Sequence, residues 1–258
     1  MSVQLSDEDR ARFGDDPRAL FTENLREIQA RIDAACARAG RDRSGVRLLP
    51  ISKTVPAHIL RFAFDAGIRT FGENKIQEAQ QKHEALRDLP VSFAIVGHLQ
   101  TNKAKYLARF ASEFHALDSH RLANELNRRL EREERDLDVY VQVNTSREAT
   151  KFGLAPEETL EFISELGAYP RLKLRGLMTL AIFSDDTERV RACFQRLRSL
   201  RDEALRINPN AQGLSMGMSG DFELVIEEGA TIVRVGTSIF GRRPGSDAHY
   251  WPGLIPER

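Results

Sequence analysis

Eight short apolar runs with strand character are separated by amphipathic helical stretches along this chain. Strands that alternate with helices pair in parallel through βαβ crossovers. Eight such strands in a chain of 258 residues predict an α/β fold, a closed (β/α)8 TIM barrel in a single domain. An open, doubly wound sheet is the alternative. The apolar runs lie at 46–51, 68–71, 91–96, 114–117, 137–143, 172–178, 213–216 and 231–235.

The first helical stretch marks where the folded domain is expected to begin. Apolar residues from Phe21 to Ala39 recur at spacings of three and four, after Pro17 and before Gly40. Residues 1–16 are therefore expected to be a flexible leader, and residues 17–258 the single barrel domain. Further helices are predicted at 57–66, 75–87, 122–133 and 187–205.

The composition indicates a soluble protein with neither a nucleic-acid nor a membrane partner. Lys plus Arg and Asp plus Glu each number 38, so the formal net charge is zero. The first residues do not form a signal peptide, and no apolar run is long enough to span a membrane. Neither the two cysteines nor the histidines show a metal-binding spacing. We expect a cytoplasmic protein without a bound metal.

One lysine directly follows the first apolar strand. In RLLPISKTVP, residues 47–56, Lys53 comes before a helix that begins near Pro56. A lysine that leaves water costs free energy unless it is paired or used chemically, although a lone lysine can also mark where a strand surfaces. Active sites of (β/α)8 barrels lie at the C-terminal ends of the strands. This rule places Lys53 at the mouth of the barrel.

The loops after strands 7 and 8 carry a second chemical signal. SMGMSGD (215–221) and VGTSIFG (235–241) offer hydroxyls, glycines and a short helix that begins near Thr237. Barrel enzymes often bind a phosphate at these two strand ends, and strand 8 closes on strand 1, next to Lys53. Pyridoxal 5′-phosphate (PLP) would span the two features, because a lysine amine forms a Schiff base with its aldehyde.

Several short motifs, in a fixed order, make a resemblance to one family specific. They are ISKT, FGEN followed by QE, GHLQTNK, RGLMTL and LSMGMSGDFELVIEEGATIVRVGTSIFG. The chain resembles the pyridoxal phosphate homeostasis protein family, whose members are similar to the N-terminal barrel of alanine racemase. The resemblance implies that fold, and a function in holding PLP and delivering it to PLP-dependent apoenzymes without strong catalytic activity. Departures from the family pattern are Lys75 after FGEN, Ser92-Phe93 in place of Trp-His, and the leader.

The resemblance also implies roles for individual residues. Lys53 would form the Schiff base, Asn74 would line the ring, and Arg234 would face the pyridine nitrogen. The phosphate would be held by Ser215, Ser219, Gly236 and Thr237. Because an arginine is always charged, the ring nitrogen would stay unprotonated and the cofactor would be a weak electron sink. The alternative for Arg234 is an ion pair with Glu227 or Glu228.

Two enzyme functions are alternatives to a carrier. An amino-acid racemase needs a base on each face of the Cα. Lys53 could serve one face, but no tyrosine falls in a mouth loop, and only 17 residues follow Gly241, too few for the domain that supplies the second base in alanine racemase. For the same reason we expect a monomer. A phosphosugar aldolase would leave Arg234 and the GHLQTNK loop unexplained.

Two further residues of the strand-end loops have open roles. Lys151 could be a second amine near the cofactor or a solvated loop residue, and a hydrogen-bonded structural role is favoured for His98.

Overall fold

Eight parallel strands form the centre of the computed structural model, which describes residues 4–241. They are β1 (Arg47–Pro50), β2 (Thr70–Glu73), β3 (Ser92–Ile95), β4 (Glu113–Leu117), β5 (Leu137–Gln142), β6 (Leu172–Met178), β7 (Gly213–Ser215) and β8 (Ile232–Val235). The strands pair in the order β1-β8-β7-β6-β5-β4-β3-β2. A bridge between Ile51 and Gly72 joins β1 to β2, where the Ser52 N–H donates to the Gly72 carbonyl at 2.9 Å. The predicted (β/α)8 barrel is confirmed, and the open doubly wound sheet is wrong.

Two helices precede β1, and the others follow the strands; their apolar faces are buried against the barrel. They are α1 (Asp7–Phe13), α2 (Pro17–Arg38), α3 (Ala57–Asp65), α4 (Ile76–Ala85), α5 (Ala104–Phe110), α6 (His120–Arg132), α7 (Thr159–Glu165), α8 (Thr187–Ile207), α9 (Phe222–Glu227) and α10 (Thr237–Phe240). Helix α2 buries Phe21, Ile28 and Ile32 on one face, as its apolar spacing predicts. None of the helices in residues 4–241 is both long and apolar enough to cross a membrane.

Strand β2 lies two residues further along the chain than the apolar run at 68–71 predicts. Gly67 has a φ of +103°, and the Ile68 N–H still donates to the carbonyl of Ala63 in α3. The chain is therefore still leaving the helix at Ile68, and the strand begins at Thr70. As a consequence Glu73 belongs to β2, where its side chain is fully buried.

The segment before Pro17 differs from the expected flexible leader. Residues 7–13 form α1, which begins with a reciprocal capping box between Ser6 and Asp9. Phe13 at its C-terminal end is buried and contacts Phe21, with ring centroids 6.1 Å apart. The segment is mostly charged, so its sequence did not predict a helix. The helix is stabilised by the capping box and by the burial of Phe13. Helix α1 packs against the barrel instead of extending from it.

Candidate functional site

Lys53 lies in a turn immediately beyond β1, at the C-terminal mouth of the barrel. Its side chain is among the largest fully buried ones, at 1% exposed. The Ile51 N–H donates to the Val235 carbonyl of β8 at 2.8 Å, so the turn starts beside the loop that leaves β8. Thr54, directly after the lysine, has a φ of +67°, which is unfavourable for a β-branched residue. The surrounding structure must therefore hold this turn in place.

Three charged side chains hold the Lys53 turn from the side of β2 and α4. Lys82 donates through Nζ to the Ser52 carbonyl at 2.7 Å and to Glu73 and Glu78, each at 2.6 Å. The Ser52 hydroxyl donates to Glu73, and the Thr54 N–H donates to Glu78 at 2.6 Å. Burial raises the pKa of Glu73 to about 7, although the charge of Lys82 acts in the opposite direction. The sequence pattern FGEN…QE contains both glutamates, but their joint contact with Lys82 was not predicted.

Helix α1 holds the same turn from the opposite side. Arg12 donates through Nη1 to the Thr54 carbonyl at 2.7 Å and through Nη2 to the Thr54 hydroxyl at 3.1 Å. The residue after the buried lysine is thus fixed at its N–H, carbonyl and hydroxyl groups. A segment expected to be a leader therefore contributes directly to the site.

Arg234 lies inside the barrel and is 3% exposed. It donates to the Ser215 hydroxyl and to the Thr179 carbonyl, both at 2.9 Å. Burial lowers the pKa of this guanidinium to about 10, so it remains charged at neutral pH. The alternative ion pair is wrong, because Glu227 pairs with Arg38 and Arg191, and Glu228 also pairs with Arg191.

Three of the predicted phosphate-binding residues lie together where the loops after β7 and β8 meet. The Gly236 N–H donates to the Ser219 hydroxyl at 3.2 Å, and α10 begins at the next residue, Thr237. Gly217 has a φ of +86°, and a Cβ there would lie 2.4 Å from the Val225 side chain. Only glycine therefore allows this loop to fold against α9. The structure keeps Ser219, Gly236 and Thr237 together, with the Gly236 N–H donating to the Ser219 hydroxyl, and we call these three residues the cradle.

Ser215 is placed differently from the other predicted phosphate ligands. It ends β7 and is fully buried. Its hydroxyl lies 2.9 Å from an Arg234 nitrogen and 2.8 Å from Nδ1 of His115. The structure thus groups Ser215 with Arg234 in the barrel interior, not with the cradle.

Asn74 directly follows β2 and is half-buried at the end of that strand. Gly97, the first residue of GHLQTNK, packs against its backbone, and a Cβ on Gly97 would lie 2.1 Å from the Asn74 carbonyl oxygen. This close approach explains the glycine and joins the ends of β2 and β3 at the mouth.

The other candidates among the loop residues are packed. The side chain of Lys151 is 8% exposed and donates to the Ala181 carbonyl at 2.8 Å, so a solvated position is wrong. It also pairs with Glu148 at 2.5 Å. The ring of His98 stacks on Phe152 at a centroid distance of 3.7 Å. Within residues 4–241 no group of three metal-ligating side chains comes together.

The fold is a closed parallel barrel with a buried lysine after its first strand. The cradle lies after its last two strands. These features are typical of the alanine racemase N-terminal barrel. Residues 23–244 match the family described as alanine racemase, N-terminal domain. Curated relatives at 44% and 42% identity are pyridoxal phosphate homeostasis proteins, and the chain belongs to that family.

Curated relatives of that name align with most of this chain. The protein of Aquifex aeolicus is 44% identical over 222 residues, which cover 86% of this chain and 97% of the relative. The protein of Pseudomonas aeruginosa is 42% identical over 225 residues, covering 87% and 96%.

Solved structures agree with the fold. One is the PLP-bound structure of PipY from Synechococcus elongatus, which is 32% identical to this chain. It has a TM-score of 0.74, and the match covers 86% of this chain and all of PipY. Alanine racemase of Corynebacterium glutamicum has a TM-score of 0.65 over 93% of this chain and 65% of the racemase. At 16% identity, that likeness concerns the fold alone.

Proposed function

We propose that this protein binds PLP through a Schiff base on Lys53 and takes part in PLP homeostasis in the cytoplasm, holding the cofactor and delivering it to PLP-dependent apoenzymes. The observation that carries the proposal is a fully buried lysine at the end of β1, next to the loop that presents Gly236 and Thr237. The PLP-bound PipY structure and the shared family name of the curated relatives support it.

The residues at the mouth fit the chemical groups of PLP. When bound, PLP supplies an aldehyde carbon for an amine and an aromatic ring that withdraws electrons. The amine of a lysine is the nucleophile that forms a Schiff base with an aldehyde, and the Lys53 side chain is buried at the mouth of the barrel. Ser219 and Thr237 offer hydroxyl donors to a phosphate beside Gly236, whose N–H donates to the Ser219 hydroxyl, and the Lys53 turn is held by its neighbours.

Two features of the described residues bear on the alternative of an amino-acid racemase. The Arg234 guanidinium stays charged in the barrel interior, and a charged donor beside the ring nitrogen keeps that nitrogen unprotonated, which weakens the electron sink. In residues 4–241 the tyrosines lie in α5, in β5 and before β6, away from the loops that follow the strands. No tyrosine of the described residues is therefore placed as the second base.

Absorbance spectroscopy and mass spectrometry test the Schiff base. The purified protein, incubated with PLP, should show the visible band of a lysine Schiff base, and Lys53→Ala should lack it. After borohydride reduction, the mass of the cofactor should remain on the peptide that contains Lys53. Lys105→Ala, which changes an exposed lysine of α5, should behave as the wild type. A reduced cofactor on another lysine would contradict the proposal.

Transfer and turnover experiments separate the carrier from the racemase. The PLP-loaded protein should reactivate an aminotransferase apoenzyme. A reagent that traps free PLP should slow this reactivation less than it slows the reactivation of the same apoenzyme by free PLP. A single L-amino acid, added in large molar excess to the PLP-loaded protein, should not be converted to its D-isomer. Sedimentation equilibrium should give the mass of a monomer. Rapid racemisation of one amino acid would favour the enzyme instead.

A further inference from the structure

Five polar side chains form a continuous hydrogen-bonded series through the interior of the barrel, which we call the interior network. It begins at Arg47 at the start of β1, whose guanidinium contacts both carboxylate oxygens of Glu113 at 2.6 and 2.5 Å. Glu113 lies 2.9 Å from Nε2 of His115 in the same strand. Nδ1 of His115 lies 2.8 Å from the Ser215 hydroxyl of β7, and Ser215 contacts Arg234 of β8. The network thus links the N-terminal end of the barrel to Arg234.

The chemistry of the partners fixes the direction of each hydrogen bond. A guanidinium only donates, so the Ser215 oxygen accepts from Arg234 and its own proton can go to Nδ1 of His115. Nδ1 is then unprotonated, and the proton on Nε2 faces the Glu113 carboxylate. The opposite neutral tautomer would place an imidazole lone pair against that carboxylate. Of the two neutral tautomers, the one with its proton on Nε2 therefore satisfies both partners.

Burial and charge agree with this assignment. His115 and Ser215 are both fully buried, and burial lowers the pKa of His115 even though Glu113 acts in the opposite direction. Burial would raise the pKa of Glu113, but the hydrogen bonds from Arg47 and His115 outweigh it and lower the value to about 2. Glu113 is thus an ionised acceptor that holds the imidazole in one tautomer.

We propose that His115 is a positioning residue for Arg234: its Nδ1 accepts a hydrogen bond from the Ser215 hydroxyl, so that a lone pair of the Ser215 oxygen faces the guanidinium and holds it in one orientation. The Thr179 carbonyl fixes the other end of the same group, and a guanidinium has five N–H groups, so donors remain for a ligand. This inference rests on the proposed function, in which Arg234 meets the ring nitrogen of PLP. Glu113 and Arg47 act on Arg234 only through His115.

The test compares two ligands that differ at the ring nitrogen alone. The first is PLP, and the second is 1-deaza-PLP, which has a C–H in place of that nitrogen. If Arg234 is held toward the nitrogen, the wild type binds PLP roughly tenfold or more tightly than the analogue, the value of one charged hydrogen bond. His115→Phe should reduce this ratio roughly threefold to tenfold, because the guanidinium loses its fixed orientation.

Two variants separate positioning from a general structural role. His115→Asn keeps an acceptor near the position of Nδ1 and should retain most of the wild-type ratio. His83→Phe makes the same substitution at a half-buried histidine that stacks on Phe110, outside the interior network, and should leave the ratio unchanged. Equal losses of affinity for both ligands in His115→Phe would overturn the proposal. Failure of the wild type to bind PLP would instead overturn the proposed function, and this inference with it.

A measurement on the wild-type protein without cofactor tests the tautomer of His115 directly, and a variant serves only to assign the signal. Nitrogen-15 NMR of the histidine side chains should show one imidazole that is neutral, protonated on Nε2, and does not titrate near neutral pH; its signals should be absent in His115→Asn. A His115 signal with the proton on Nδ1 would overturn the direction of the network and the proposal.

Discussion

Removing Lys82 should expose how much the buried charges under the Lys53 turn contribute to stability. The side chains of Lys82 and Glu73 are 5% and 0% exposed, with Nζ and Oε1 2.6 Å apart. Removal of one partner from a buried ion pair costs about 3–5 kcal/mol, because the other charge stays buried. Ser52 still donates to Glu73, and Glu78 is 26% exposed and reaches water. We therefore expect Lys82→Met to lower the free energy of unfolding by about 3 kcal/mol at pH 8.

The loss should depend on pH in a definite direction. Burial raises the pKa of Glu73 from 4.5 to about 7 in the folded protein. A carboxyl group with a raised folded pKa contributes its full stability below the unfolded value and loses it as the pH rises through the folded value. Without Lys82 the folded pKa rises further, so Glu73 is protonated at pH 5 and charged only at higher pH. The destabilisation by Lys82→Met should therefore be much smaller at pH 5 than at pH 8.

Urea unfolding of the cofactor-free protein at both pH values measures this effect. The double variant Glu73→Gln with Lys82→Met removes both charges and should recover at least half of the loss at pH 8. Lys105→Met, at an exposed position of α5, should change stability by less than about 0.5 kcal/mol. A loss below about 1 kcal/mol for Lys82→Met at pH 8, or equal losses at both pH values, would refute the reasoning.

Two further substitutions test contacts that meet at the mouth. Arg12→Ala should lower the free energy of unfolding by about 1–2 kcal/mol and speed PLP release, because the Thr54 carbonyl and hydroxyl lose their donor. Thermal unfolding and stopped-flow release measure these effects, and Arg10→Ala on the exposed side of α1 is the control. Equal effects of the two substitutions would contradict the prediction. Gly97→Ala should cost about 2 kcal/mol or more, since its Cβ would meet the Asn74 backbone, whereas Gly167→Ala, with open space around it, should be tolerated in the same denaturation assay.

The position of the buried Lys53 could be predicted from the sequence. Lys53 follows an apolar run, and the rule that parallel strands end at one face of a barrel places it next to Gly236 and Thr237. The structure has this arrangement because β1 pairs with β8 in register, with Leu49 opposite Arg234. Both inferences need only local periodicity and the closure of the barrel.

The segment before Pro17 and the start of β2 show where pattern reading stops. Helix α1 depends on a single buried aromatic, Phe13, among charged residues, and such a segment has no apolar period to detect. The shift of β2 follows from the left-handed Gly67, and it moves Glu73 from an expected loop into the interior.

The alternation of strands and helices thus determined the barrel, the position of Lys53 at its mouth and the meeting of the loops after β7 and β8, because each follows from short-range patterns combined with one topological rule. The tertiary structure alone decided which polar groups meet. His115 and Ser215 are 100 residues apart in the sequence, and Lys82 reaches the Ser52 carbonyl from 30 residues away. Hydrogen bonds require partners within about 3 Å, a precision that no periodicity encodes and that only the packed barrel provides.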